Sequence, residues 1–444
     1  LALHLSEADL PEEAAPHWLE AASRSLARSA LTEAIRMLRR ALSPLEALAP
    51  TEQRIQLRLQ ISALLGPALS GLMGPNAPET RQLVTTAYEL CRDRPDDEAY
   101  FPIYWGWWRL LPTSLDRATG LLNRARSRGD PAMMLEAHHC NWASHLNVGL
   151  FARCCEHAEA GLARYDTGDF RFHARLYGNH DAKVCAHGAL SQAYWMLGRL
   201  RSAIDHDAQS MTWAAKLDHL GSRVHALGMT LLHQAYRRDY ASVIDRANHL
   251  IALTTEHGMA DHGAAGLIFR GWAIAQTGDP VRGLAELEHG LGRQRETATI
   301  EDIPVYLCLR AEILSGLGQP DRALAPMIEE RPGLEGDSLG TWMPELLRVT
   351  GEMMLAADPA STEAARKLFA EAETLADSQG CVMLAARIAL SQARLDERLG
   401  DRAAAARRMR AALSALPEFD GSADLMEAYQ FSKELGENLL PPVG

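Results

Sequence analysis

Apolar residues recur three and four positions apart along nearly the whole chain, as on one face of a helix; Leu217–Leu232 is typical. β-Branched alternation over five or more residues is nearly absent, so the pattern predicts an all-α protein. Turn residues separate short helices, and the turns are periodic. Leu197-Gly198-Arg199, Arg237-Arg238-Asp239, Thr277-Gly278-Asp279, Leu317-Gly318-Gln319, Ala357-Asp358-Pro359 and Leu399-Gly400-Asp401 step by 40, 40, 40, 40 and 42 residues. A second break falls between them, near Asp218, His257-Gly258, Thr297 and Gln379-Gly380. Each unit therefore reads as two antiparallel helices. One pair cannot bury its apolar stripe alone, and stacking the pairs buries a continuous core. The expectation is a right-handed α-solenoid of tetratricopeptide-like helix pairs with a period of about 40 residues. Alanines seven apart on second helices (Ala118 and Ala125, Ala365 and Ala372, Ala404 and Ala411) fit close helix crossings.

Gly149 occupies an equivalent turn, but the step to Gly198 is 49, so nine residues are extra. They fall in the segment Asp166–Asp181, an inserted loop in an array spanning 131–439. Residues 1–130 read as helical repeats of weaker register, with helices near 11–29, 31–48, 51–72, 77–94, 96–111 and 114–128. The stretch 331–341 is Gly-rich, and 440–444 reads as a frayed tail.

Composition narrows the function. Of 444 residues, 45 are Lys or Arg and 57 Asp or Glu, giving a net charge of −12. An acidic chain is repelled by phosphate backbones, which argues against direct nucleic-acid binding. Seven irregularly spaced cysteines fit reduced thiols in a cytoplasmic protein. No apolar run approaches the roughly 20 residues that cross a bilayer. The chain starts at Leu1 without a signal-peptide pattern, as a fragment would. There is no Gly-Lys-Ser/Thr, Gly-x-Ser-x-Gly or His-Glu-x-x-His, so the chain itself reads as non-enzymatic and without cofactor.

Two regions carry candidate chemistry. Fifteen of 17 histidines lie between His138 and His289. His138, His139, Cys140, His145, Cys154, Cys155, His157, His173, His180, Asp181, Cys185 and His187 form a dense set. It lacks the paired short spacings of a structural zinc site, so the expectation is no metal. The inserted loop is the better candidate, because loops on a rigid scaffold carry function. Arg171, His173, Arg175, Tyr177, His180 and Asp181 would bind a polar or anionic ligand or partner. If the loop only packs, Tyr177 should be buried and Asp181 should cap the next helix. In the cluster Phe101, Tyr104, Trp105, Trp107 and Trp108 not every ring can face inward, so Trp105 and Trp108 are further ligand candidates.

Leu10-Pro-Glu-Glu-Ala-Ala-Pro-His-Trp18, Leu135-Glu-Ala-His-His139, Tyr177-Gly-Asn-His-Asp181 with Val184-Cys185, Phe269-Arg-Gly-Trp272-Ala273 and Phe419-Asp420 with Ala423-Asp-Leu425 carry a family resemblance. The chain resembles the C-terminal tetratricopeptide region of bacterial regulators that join adenylate/guanylate cyclase and signal-transducing (STAND) ATPase domains. The resemblance implies a sensor or scaffold arm. Such an arm recognises a protein segment or small effector and regulates an attached or partner ATPase or cyclase; no active site carries over. The same arm on a transcription activator is one alternative. A metal- or thiol-dependent activity at 138–187 is another.

Overall fold

The computed structural model describes residues 1–94, 98–297, 302–334, 340–437, 439 and 441. Every regular element among them is helical. The N-terminal helices are α1 (Ala2–Glu7), α2 (Pro11–Leu26), α3 (Leu31–Ala47), α4 (Glu52–Met73), α5 (Pro78–Cys91), α6 (Phe101–Arg109) and α7 (Leu115–Arg128). Next come α8 (Pro131–Asn147), α9 (Phe151–Tyr165), α10 (Ala182–Met196), α11 (Leu200–Leu217), α12 (Leu220–Tyr236), α13 (Tyr240–His257), α14 (Ala260–Gln276) and α15 (Pro280–Thr297). The chain closes with α16 (Ile303–Gly316), α17 (Pro320–Leu334), α18 (Met343–Ala357), α19 (Thr362–Gln379), α20 (Val382–Arg398), α21 (Arg402–Ser414) and α22 (Ala423–Glu434).

From α8 onward each helix packs on the next, and the even-numbered helices also pack on one another in succession. This is a tetratricopeptide-like α-solenoid with an inner layer of even helices and an outer layer of odd ones. The two layers differ as burial requires. In α10 every residue except Lys183 is buried, whereas α13 buries only Val243, Ala247, Leu250 and Thr254, one stripe at helical spacing. Turn chemistry holds the period. Gly149, Gly198, Gly278, Gly318 and Gly400 take positive φ, as do Gly258 and Gly380 at the second breaks. Asp130, Asp239 and Asp401 accept backbone N–H bonds at the starts of α8, α13 and α21.

Three details differ from the sequence pattern. Asp358 is extended, at φ −136°, because α19 opens later through a turn in which Asp358 accepts from Ser361 Oγ. In α21 the buried stripe is Ala405, Met409 and Leu413, while Ala411 is exposed, so the alanine crossing sits one residue later. Residues 335–339 of the Gly-rich stretch, and 440 and 442–444 of the tail, lie outside the described residues.

The array curls until its end meets its middle. α20 packs on α10, the Arg201 N–H donates to Glu418 at 2.8 Å, and Arg387 donates to the Tyr236 carbonyl at 2.8 Å. The N-terminal helices also fold against the array, α4 touching α14.

Candidate functional site

The inserted loop explains its own length. It leaves α9 after Tyr165, makes a 3₁₀ turn over Arg171–Arg175 and enters α10 through Asp181. Tyr177 is 6% exposed and packs with Trp105 and Phe101 of α6. Asp181 caps α10 by accepting from the Lys183 and Val184 N–H groups, and it also accepts from Tyr165 Oη at 2.6 Å. Asn179, at φ 60°, is wedged between two glycines: a Cβ at Gly221 of α12 would stand 1.9 Å from its carbonyl oxygen, and one at Gly71 of α4 2.4 Å from its amide. The loop thus joins the N-terminal helices to the array.

Beneath this joint lies a cavity of about 230 Å³. Trp105 and Trp108 of α6, Trp142 of α8, Phe269 of α14 and Tyr306 of α16 supply aromatic walls. The Trp105 Nε1–H is buried and has no partner among the described residues.

On one wall His139, His180 and Cys185 converge, their donor atoms all within 4.8 Å of one another. Each imidazole is fixed through Nδ1. His139 Nδ1 lies 3.0 Å from Glu136 Oε2, and His180 Nδ1 lies 2.9 Å from the Gly178 carbonyl oxygen. Both acceptors require Nδ1–H. The Nε2 atoms then face each other at 3.2 Å. The Trp142 Nε1–H donates to Cys185 Sγ at 3.4 Å. His225 of α12 stacks on His180 with ring centroids 3.8 Å apart, and its Nε2 is buried and unpartnered among the described residues.

Glu136, fully buried, is bracketed by His139 and by His173 Nδ1 at 2.8 Å. Burial pushes its carboxyl up, but hydrogen bonds and charge from the two histidines hold its pKa at about 2. Burial pushes His139 down, but Cys185 and Glu136 outweigh this and raise it to about 10. Burial likewise raises the Cys185 thiol, yet the facing His139, His225 and His180 hold it well below the ordinary thiol range. His225, buried beside His180, is pushed down to about 3.

Of the residues singled out in the sequence, His139, His180, Cys185, Trp105 and Trp108 line this cavity. His173 lies behind it, on Glu136, and Tyr177 and Asp181 pack. Arg171 is exposed and paired with Asp169 at 2.6 Å, outside the cavity, and Arg175 does not line it either. His225 and His262, also in the wall, were not singled out. The remaining dense histidines pair elsewhere: His138 with His157 at 3.0 Å, and His187 with His206 at 2.8 Å.

A second polar cluster borders a pocket of about 470 Å³ near the C-terminus. Arg238 pairs with Glu312 at 2.7 Å and with Asp424 at 2.5 Å. Arg387 joins Asp424 to Glu345, and Arg348 bonds both Glu345 oxygens at 2.8 Å. Glu312 also accepts from the Trp272 Nε1–H at 2.8 Å.

No family model matches the chain. It is 30% identical over 392 residues to an uncharacterized protein of Rhizobium meliloti (strain 1021). That match takes in 87% of this chain but 38% of the relative's length. Among solved structures, a Rap protein complexed with competence and sporulation factor is 10% identical, with a TM-score of 0.49 over 96% of this chain and 99% of that one. The Rap conjugation gene regulator of plasmid pLS20, in complex with the Phr* peptide, is 10% identical, with a TM-score of 0.48 over 87% and 98%. Yeast Tom70 is 11% identical, with a TM-score of 0.40 over 96% of each chain. With TM-scores below 0.5, the architecture rests on the helix packing described above.

Proposed function

We propose that this chain is the recognition arm of a longer regulatory protein and has no catalysis of its own. Its cavity takes a small effector or an inserted partner side chain, and occupancy sets the output of attached ATPase or cyclase domains. The carrying observation is the position of the cavity. It lies where the N-terminal helices, the inserted loop and the inner layer meet, so a ligand there contacts all three. A ligand that prefers one arrangement of these parts shifts the equilibrium by its differential affinity. The aromatic walls and the Trp105 Nε1–H, without a partner among the described residues, suit a flat ligand with a hydrogen-bond acceptor. The 38% share of the relative's length, and the family resemblance, support an arm within a larger chain.

The test is Ala265→Phe, which puts a ring into the cavity from a half-buried position of α14. In the parent protein the variant should stay helical by circular dichroism and lose the effector response of nucleotide turnover. A folded variant with an unchanged response would reject the cavity as the regulatory site.

A further inference from the structure

We propose that His139, His180 and Cys185 bind a transition-metal ion, Zn²⁺ foremost, on the wall of the central cavity. The proposal does not depend on what the arm recognises. Its basis is a conflict among lone pairs. Glu136 and the Gly178 carbonyl both accept from an imidazole, so His139 and His180 each commit their Nδ1–H away from the cavity. In the neutral rings both Nε2 atoms are then acceptors, and they point at each other across 3.2 Å with Cys185 Sγ alongside. Three electron-pair donors facing one point need a positive centre between them, a shared proton or a metal ion.

A metal ion supplies it. Two nitrogens at zinc–nitrogen bond length, placed at a tetrahedral angle, stand about 3.3 Å apart. The observed 3.2 Å separation matches. The surroundings are also those of a metal centre. A ligating imidazole has its other nitrogen held by a carboxylate or a backbone carbonyl, and here one of each is present. The sulfur receives an indole N–H from Trp142. One thiolate and two imidazoles favour zinc or copper over magnesium or calcium. His225, stacked on His180, also faces Cys185, and its buried Nε2 has no hydrogen-bond partner among the described residues. Three protein ligands leave a fourth position open on the cavity side.

The probe is Co²⁺, added to the whole chain after chelator treatment and reduction. One equivalent should bind, giving visible ligand-field bands and a near-ultraviolet sulfur-to-cobalt band, and Zn²⁺ should displace it. Binding should release protons, since the ion replaces any proton shared by the three donors. Cys185→Ser should abolish the sulfur-to-cobalt band while circular dichroism stays helical. Cys155→Ser, on α9, should leave the band intact. Should Cys185→Ser fail to fold, His180→Gln, from the half-buried loop, should weaken cobalt binding at least tenfold. Glu136→Gln should weaken it about 10–100-fold, as loss of an outer partner does. Absence of a stoichiometric cobalt spectrum in folded protein would overturn the site, leaving the donors held by a shared proton. Persistence of the sulfur band in Cys185→Ser would overturn it equally.

Discussion

The cavity wall and the charged ring are both buried polar clusters built across successive inner helices, and they meet the cost of burial differently. In the ring each carboxylate described above lies against at least one guanidinium: Glu345 accepts from Arg348 and Arg387, and Asp424 from Arg238 and Arg387. Arg238 accepts backbone strain for this. It is the turn residue where the repeat has Gly at 198, 278, 318 and 400, and its φ of 54° costs about 1–2 kcal/mol in an L-residue. The ring therefore reads as a structural clasp between the middle of the array and its end. At the cavity wall, by contrast, Glu136 is matched by two histidines, but three donor atoms beyond it are left facing one another. A cluster that satisfies itself holds the fold; one that does not is arranged around something else.

Breaking the clasp should have the largest effect. Glu345→Gln removes the buried charge that Arg348 and Arg387 share, leaving Arg348 with Glu352 and Ser391 and Arg387 with Asp424 and the Tyr236 carbonyl. Removing one member of a buried pair costs about 3–5 kcal/mol. Chemical denaturation should show that loss, while cobalt binding at the cavity wall stays intact; loss of both together would show that the two clusters are coupled. The clasp also sets an acid limit. Burial pushes the Glu345 carboxyl up, and Arg348 and Arg387 overcome it, holding its pKa at about 2. A depressed carboxylate stabilises the fold above its unfolded pKa. Its contribution is full above roughly 4.3 and declines as pH falls from there towards about 2. In Glu345→Gln the stability difference from the parent chain should shrink across that window.

The two clusters also differ in how far the sequence disclosed them. The solenoid was legible because left-handed turns are bound to residue type: Gly198, Gly278, Gly318 and Gly400 mark them at a fixed step. The convergence at the cavity wall was not legible in the sequence, because His139 lies on α8, His180 in the inserted loop and Cys185 on α10. His139 and His180 lie 41 positions apart, and Cys185 and His225 lie 40 apart. Cys185 and His225 are one repeat apart and sit on neighbouring inner helices, whereas the inserted loop brings His180 to His139. Glu136 was invisible as an outer partner because nothing in the sequence places it against His173.

A smaller effect is expected at the hinge between the regions. Tyr177→Ala removes a buried ring from the packing with Trp105 and Phe101 and should cost about 3 kcal/mol or more, as large-to-small aromatic changes do. Because the same loop carries His180, this variant should also lose cobalt affinity, which Glu345→Gln should not. A stability change near zero would show that the ring is not part of the packing. Retained affinity with lost stability would show that the ligands are held by α8 and α10 alone.

The smallest effect should come from the loop's two arginines. Arg171 and Arg175 were the charged residues that made the inserted segment look like an anion site. Arg171 spends its guanidinium on Asp169, two residues away, and both side chains are exposed. Such a local pair is worth little in water. Neither arginine lines the cavity. Arg171→Ala with Arg175→Ala should therefore leave thermal melting, cobalt binding and the effector response of the parent protein unchanged. Ala265→Phe should remove the response alone. The two variants separate the loop's arginines from the cavity wall on α14. If the arginine double variant abolishes the response while Ala265→Phe preserves it, recognition occurs at the loop's arginines and the cavity serves the fold or the metal.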